Sequence, residues 1–448
     1  MNNRRRWRLP ALALGSVMTA APAIAAGQAI GGVDSITVAE IRNLIRQTNP
    51  ELDARRAVIA AAEARVSAAG AVGPVVLSAD LEEVPDGFDV TEAGSFRLDL
   101  SRAVLGGGRR AASRALAGQA VARTRLEFAL VERGLLARAE GLLAHYLGYL
   151  AVAERLSAQD SLLTGAEDAV TTRFAVGESR YVDVLRLRAE RLRTRAEIAQ
   201  ARSEALRGRR GLIGLAGPID TTGQRLTASL DRLAELAPAL MEAVVFPPAP
   251  SIDSLVAVSA PVQLAKVAVQ EAEAGLRLTA AEHRARLNAS IGVQRFGGED
   301  GRHRIGPTLG ASVTLPFTAR RAGRATRLAA EQNILAAQAE QRAAFLRVRA
   351  SLGAARDRYD VAVANAALFE AALMRGAREE RENALASYRM GTLSLLELLD
   401  FERALTQAEV SQHRSRIAAA EALADLLAGA ADIPDHSVTA ATLPGGES

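Results

Sequence analysis

The sequence predicts a mixed α and β fold. Long antiparallel α-helical coiled coils carry four short strands of a transmembrane β-barrel, and the whole plan is duplicated in tandem. Three observations predict it: a strand–helix plan repeated at a fixed offset, two proline-free segments long enough for very extended helices, and four period-two segments in a chain with no apolar run long enough for a membrane helix beyond its first residues.

The repeat comes first. Phe174-Ala175-Val176-Gly177 through Val182-Asp183-Val184-Leu185 resembles Tyr388-Arg389-Met390-Gly391 through Leu396-Glu397-Leu398-Leu399, at an offset of 214 residues. Ser78–Leu81 resembles Asn288–Ile291 at an offset of 210, and Gly108-Arg109 matches Gly323-Arg324 at 215. Preserved order and spacing point to a tandem duplication. Each copy opens on a helix of about 35 residues, starting near Asn49-Pro50 and Ala260-Pro261, because proline suits the first helical turn. Two strands follow, then the proline-free segments 109–173 and 324–387, which at 1.5 Å per residue reach roughly 100 Å. Gly177 and Gly391 mark tight turns into returning helices. The expected boundaries are 1–25 for an export signal, 26–216 for the first repeat with its hairpin near 75–104, 217–260 for an inter-repeat or equatorial linker, 261–428 for the second repeat with its hairpin near 286–316, and 429–448 for a flexible tail.

The first returning helix carries a heptad seam of Val182, Leu185, Ala189, Leu192, Ala196, Ala199, Ser203 and Leu206, the spacing of a left-handed coiled coil. The second carries a looser one, Leu398, Phe401, Leu405, Ala408, Ala419, Ala422 and Leu426, interrupted by Gln412 and Ser415.

The strands alternate with period two. Leu77, Ala79 and Leu81 interleave with Ser78, Asp80 and Glu82; Phe96, Leu98 and Leu100 with Arg97, Asp99 and Ser101. In the second copy, Leu287 to Gln294 and Thr308 to Leu315 repeat the pattern. One face suits lipid and the other a wet lumen. Hairpin loops rich in charge (Glu82, Glu83, Asp86, Asp89 and Glu92; Glu299, Asp300, Arg302, His303 and Arg304) belong in water. Four strands cannot close a barrel, and lipid tolerates no open edge, so neighbouring chains must supply the rest. Physical reasoning admits a dimer or a trimer.

Composition removes other classes. Aromatics make up only 4% of the chain, too few for a large conventional core. Arg4, Arg5, Arg6 and Arg8, the apolar run Leu9–Ala21 and Ala23-Ile24-Ala25 read as an export signal cleaved after Ala25. Those four arginines leave 51 basic against 51 acidic residues, so the high pI is no argument for nucleic acid. The absence of cysteine excludes disulfides, thiolate metal sites, catalytic thiols and a lipid-bearing N-terminal cysteine. His145, His283, His303, His413 and His436 show no ligand spacing and read as mostly surface residues, so no bound metal is expected. Gly106-Gly107-Gly108 lacks the Gly-Lys-Ser/Thr of a phosphate loop. No catalytic constellation and no cofactor motif occurs.

The repeat architecture resembles the TolC-type outer-membrane factor family over nearly the whole chain. Within it, Leu105-Gly106-Gly107-Gly108-Arg109-Arg110 is similar to the post-strand Leu-Gly-Gly-Lys-Arg of the heavy-metal (CzcC-like) branch, and Leu315-Pro316-Phe317 before Gly323 to its turn into the second long helix. The resemblance implies a homotrimer with a 12-stranded barrel in the outer membrane and a periplasmic helical tunnel. It further implies a passive exit duct, not an enzyme, docking to a periplasmic membrane-fusion adaptor and an inner-membrane RND-type pump for heavy-metal cations. The family's gate positions fall on Glu397 and Asp400, three residues apart and so on one helix face. Threefold repetition would stack two carboxylate rings that attract cations, with some pKa values raised by crowding. Asp183 and Tyr388 match its latch acid and tyrosine, while its latch arginine is Leu393 here, leaving Arg180 and Arg186 as substitutes. Gly177 and Gly391 fall at the tip turns and adaptor docking surface, and Gly107, Gly108, Pro316 and Gly323 at the strand-to-helix junctions. A drug-efflux or type I secretion duct of the same fold is the nearest alternative. A periplasmic coiled-coil adaptor is another, although an adaptor has no need of a duplicated strand–helix plan.

Overall fold

The computed structural model describes residues 38–71, 73–82, 95–104, 108–217, 221–296, 304–314, 320–369 and 373–428, all within the unit Ile36–Ser448. The export signal, both hairpin loops apart from Glu82 and Arg304, Gly107, Pro316 and the tail expected over 429–448 lie outside the described residues.

The first copy runs α1 (Val38–Thr48), α2 (Pro50–Ala69), β1 (Val75–Glu82), β2 (Ser95–Val104), α3 (Arg109–Ala175) and α4 (Tyr181–Leu215). A joining region follows as α5 (Thr221–Glu235), α6 (Ala237–Ala243) and α7 (Ile252–Val258). The second copy runs α8 (Ala260–Glu282), β3 (Arg286–Phe296), β4 (Arg304–Thr314), α9 (Arg320–Leu368), α10 (Met374–Arg389) and α11 (Leu395–Ala428).

Local chemistry sets these ends. The Asn49 side chain accepts from the Glu51 and Leu52 amides and donates to the Leu215 carbonyl at 2.7 Å, so one residue caps α2 and ties it to the end of α4. The opening helices are shorter than the predicted 35 residues, at 20 and 23, because Gly70, Gly73 and Pro74 stop the first and strand pairing begins at Arg286 in the second. The 67 residues of α3 form one unbroken helix. In its counterpart α9 ends at Leu368 and α10 begins at Met374, with Phe369 and Leu373 in the wider π-type helical conformation and 370–372 outside the described residues.

The two hairpins join into one antiparallel sheet ordered β1-β2-β3-β4, with β1 and β4 as open edges among the described residues. Register sorts the side chains into two faces. On one, Leu77, Leu100, Ile291 and Leu309 form a row, as do Ala79, Leu98, Val293 and Pro307. This apolar face is uncovered, with Leu309 86% and Leu77 63% exposed. On the other face, Ser78, Asp99, Gly292 and Thr308 share a row, beside Asp80, Arg97, Gln294 and Gly306. Arg97 donates to Gln294 Oε1 at 2.8 Å. Among the described residues no single helix is long and apolar enough to cross a membrane.

Among the described residues the helices share four buried clusters, of which two involve the joining region. Ile41, Ile45, Leu143, Tyr146, Leu212, Leu226, Leu230, Met241 and Ile417 form one; Leu255, Val256, Val262, Leu352, Tyr359, Leu423 and Leu426 form the other. The joining region is therefore folded into the body, and α11 contributes to both cores. Small residues stand in for bulky ones where helices approach. A Cβ on Gly208 of α4 would sit 2.9 Å from the Leu142 carbonyl and 3.0 Å from the Tyr146 amide of α3.

The predicted α4 seam is real but is not the one that packs within the chain. Val182, Leu185, Ala189, Leu192, Ala196, Ala199, Ser203 and Leu206 are all exposed, Leu192 at 67%. A second stripe with the same alternating spacing (Val184, Leu187, Arg191, Thr194, Ile198, Ala201, Ala205, Gly208 and Leu212) faces the chain's own helices, all of it buried except Arg191, which is half-buried. Two residues separate the stripes, about 200° around the helix, so they lie on nearly opposite faces. On α11 the predicted seam is the packed one: Leu398, Leu405, Ala419 and Leu426 are buried.

Candidate functional site: the helical tips

Both tips are built alike. At the first, the Gly177 amide donates to the Phe174 carbonyl and the Glu178 amide to Arg173. At the second, Gly391 donates to Tyr388 and Thr392 to Ser387. This is the Schellman closure, which needs a left-handed residue, and Gly177 and Gly391 supply φ of 82° and 76°. The tips lie side by side: Leu395, Leu396 and Leu399 of α11 pack on Leu163, Ala166, Val170, Val184 and Leu187 of α3 and α4. Val176 and Met390 stand exposed at the two ends.

Glu397 has a local task. Its Oε2 accepts from the Ser394 amide at 2.8 Å, while its own amide donates to the Ser394 hydroxyl at 3.3 Å. That reciprocal pair is a capping box opening α11. The Ser394 amide first, and its hydroxyl second, hold the Glu397 carboxyl below its ordinary value, opposite in direction to the expected crowding effect, because no like charge meets it within one chain. Asp400 lies one turn on, exposed and without a partner among the described residues.

Asp183 is buried at 8% exposure. Its Oδ2 faces Arg180 Nε at 3.5 Å, and its Oδ1 has no hydrogen-bond partner among the described residues. The expected link to Tyr388 is not made within the chain: Tyr388 is half-buried and does not reach that oxygen. Arg186 is exposed and unpaired among the described residues.

Behind the tips runs an arginine–carboxylate ladder that the sequence reading missed. Glu167 of α3 accepts from Arg188 at 2.8 Å and Arg191 at 2.9 Å, which hold its carboxyl below the usual range. Asp160 takes Arg191 and Arg195 at 3.5 and 3.3 Å. Arg403 of α11 reaches Glu190 at 3.1 Å, and Arg381 of α10 reaches Glu402 at 2.6 Å. The arginines at 188, 191 and 195 are spaced by three and four, a signal available in the sequence.

Two of the histidines lie among the packed helices. His413 is buried, and burial first, then Arg416, push its imidazole below the ordinary value. His145 sits between Glu421 at 2.8 Å and Glu204 at 3.2 Å, joining α3 to α11 and α4. At Gly108 a Cβ would lie 3.0 Å from Arg284 Nη1, and at Gly323 3.2 Å from His283 Nδ1. No cluster of three metal-ligating side chains occurs among the described residues.

No protein-family model and no curated protein matches the chain. Solved structures do. The outer-membrane channel OprN superposes with a TM-score of 0.67 at 18% identity, over 88% of this chain and 90% of that one. A membrane protein from Pseudomonas aeruginosa gives 0.70 at 17%, over 92% and 97%. The outer membrane protein VceC from Vibrio cholerae gives 0.66 at 15%, over 88% and 97%. The chain shares their fold nearly end to end.

Proposed function

We propose that the chain is one protomer of a trimeric outer-membrane exit duct, passively conducting what an inner-membrane RND-type pump exports through a periplasmic adaptor. One observation carries the reading: a four-stranded sheet with an uncovered apolar face and two unpaired edges. Such a sheet is stable in lipid only when further copies close it. Antiparallel order makes β4 of one copy a natural partner for β1 of the next, and three copies give twelve strands. The uncovered α4 seam offers the same copies a coiled-coil contact. Likeness of fold to outer-membrane channels supports the reading. The matching architecture of the two halves suits descent from one duplicated unit.

The cargo we assign is heavy-metal cations. The likeness of residues 105–110 to the post-strand motif of the heavy-metal branch and the acidic pair Glu397 and Asp400 support it. In this reading the tips form the gate, and the exposed ends around Gly177 and Gly391 meet the adaptor. The unpartnered Asp183 oxygen awaits a donor from the neighbouring copy, with Arg180 or Arg186 in place of the arginine that Leu393 lacks.

Introduced cysteine pairs test the assembly cleanly, because the chain has none of its own. One cysteine in β1 and one in β4 should give covalent dimers and trimers on oxidation in membranes, and nothing larger. A monomer that stays in water without detergent would refute the duct. Cation conductance in planar bilayers that is unchanged by E397R/D400R would refute the gate assignment alone.

A further inference from the structure

The end of the sheet nearest the helices is lined with arginine. Arg102 lies on the apolar face, in one row with Val75, Ala289 and Ala311. Arg109 and Arg110 open α3, with Arg114 one turn on. Arg284 and Arg286 stand where α8 hands over to β3, and Arg320, Arg321, Arg324 and Arg327 open α9. No acidic residue occurs in 100–126, 283–298 or 301–330. Glu282 answers Arg109 at 3.4 Å, and Glu331 answers Arg327 at 2.9 Å. Arg102, Arg114, Arg284, Arg321 and Arg324 are exposed and have no ion-pair partner among the described residues.

Two features show that the chain is built for this concentration of charge. The first is a local conflict. A helix start favours acids, and α2, α4 and α11 have them, as Glu51 and Asp53, Asp183, and Glu397. Both α3 and α9 have none in the first turn and carry arginines there instead. Cations at the positive end of a helix are unfavourable unless an anion from outside answers them. The second is a set of seats. A Cβ on Gly70 would overlap the Arg114 guanidinium, and one on Gly108 would lie 3.0 Å from that of Arg284. Glycines leave room for these guanidiniums at the junction.

We propose that this arginine belt binds the anionic headgroups of phospholipids in the leaflet on the helical side of the sheet. The proposal rests on the reading that the sheet lies in a membrane. The belt is continuous with the apolar face through Arg102, where acyl chains would end and phosphates begin. Guanidinium pairs bidentately with phosphate oxygens. The opposite end of the sheet mixes signs, with Glu82 and Arg304 at the strand ends and both acids and bases in the sequence of the two loops, so the unmixed excess of arginine is confined to the helical end.

The test compares the full-length protein with R114Q/R284Q/R324Q and with the charge-retaining R114K/R284K/R324K. Each is reconstituted in phosphatidylcholine vesicles with and without phosphatidylglycerol, and retained lipids are measured by mass spectrometry. Each basic residue near an anionic surface strengthens attraction roughly fivefold. The unaltered protein should therefore retain phosphatidylglycerol preferentially, the glutamine variant should lose tenfold or more of that preference, and the lysine variant should keep most of it. The preference of the unaltered protein should also fall as salt rises. A preference that is absent, insensitive to salt or unchanged by the glutamine substitutions overturns the proposal, as does full displacement by inorganic phosphate at matched concentration. Insertion into neutral vesicles is scored separately: protein that inserts without preferring the anionic lipid defeats this inference alone, and protein that enters neither vesicle defeats the membrane reading beneath it.

Discussion

The Thr308 hydroxyl donates to Asp99 Oδ1 at 3.0 Å, crossing the strand between them at Gly292. A Cβ at Gly292 would overlap that carboxylate oxygen and the Leu98 carbonyl. Substitution G292V should therefore destabilise the sheet by about 1–3 kcal/mol, the scale of overpacking against a backbone that cannot yield. T308V should cost about 1 kcal/mol, one lost hydrogen bond. Heat-induced loss of sheet structure in detergent measures both, and G292V should be the worse.

The two α4 stripes make opposite predictions. L185E/L192E places charge on the exposed stripe and should leave the monomer's helix content intact while abolishing self-assembly, since each leucine buried between copies contributes about 1.5–3 kcal/mol. L187E/I198E strikes the packed stripe and should unfold the α3–α4 pair itself. Circular dichroism and sedimentation separate the outcomes; equal loss of fold in both variants would contradict the assignment of the stripes.

Glu397 gives a pH signature. Its folded pKa is depressed, so the stability it contributes is fully present above the ordinary value of 4.5 and is lost as pH falls through the folded value. The stability difference between the unaltered protein and E397Q should be constant near neutrality and close toward strongly acidic pH. Denaturant titrations across that range measure it.

His413 has the opposite charge and the same sense. Burial first, then Arg416, opposes its protonation, while Glu242 favours it. The folded state resists a proton that the unfolded chain accepts near 6.5, so stability should decline as pH drops below that value. H413Q should flatten the decline between neutral pH and the folded pKa.

At the tips, G177A and G391A should each cost about 1–2 kcal/mol locally, the penalty of a left-handed residue with a Cβ. Faster proteolysis at the turn, with the melting of the body unchanged, is the expected readout.

Much of this architecture is visible in the residues, and the failures have identifiable causes. The strands were legible because alternation of residues such as Leu77, Ser78, Ala79 and Asp80 has one reading in extended chain. The pairing of β2 with β3 was not, because nothing local encodes a contact between hairpins nearly 200 residues apart. The α4 seam misled because that helix carries two heptad stripes, and periodicity does not say which one a chain keeps for itself. The capping box, Ser394 to Glu397 at the S-x-x-E spacing, is present in the sequence, where the resemblance gives Glu397 only a gate role. Asp183 was found by that same resemblance, but its burial and its unpartnered oxygen needed three dimensions.

The closeness of α3 and α4 at Gly208 has a mechanical consequence. There the two backbones touch; toward Gly177 the same helices are joined by guanidinium–carboxylate pairs and by the apolar packing of Leu163, Ala166, Val170, Val184 and Leu187. Dissolved ions weaken the pairs and leave the packing and the backbone contact alone. Salt therefore loosens one of three fastenings between these helices, and the other two keep them together.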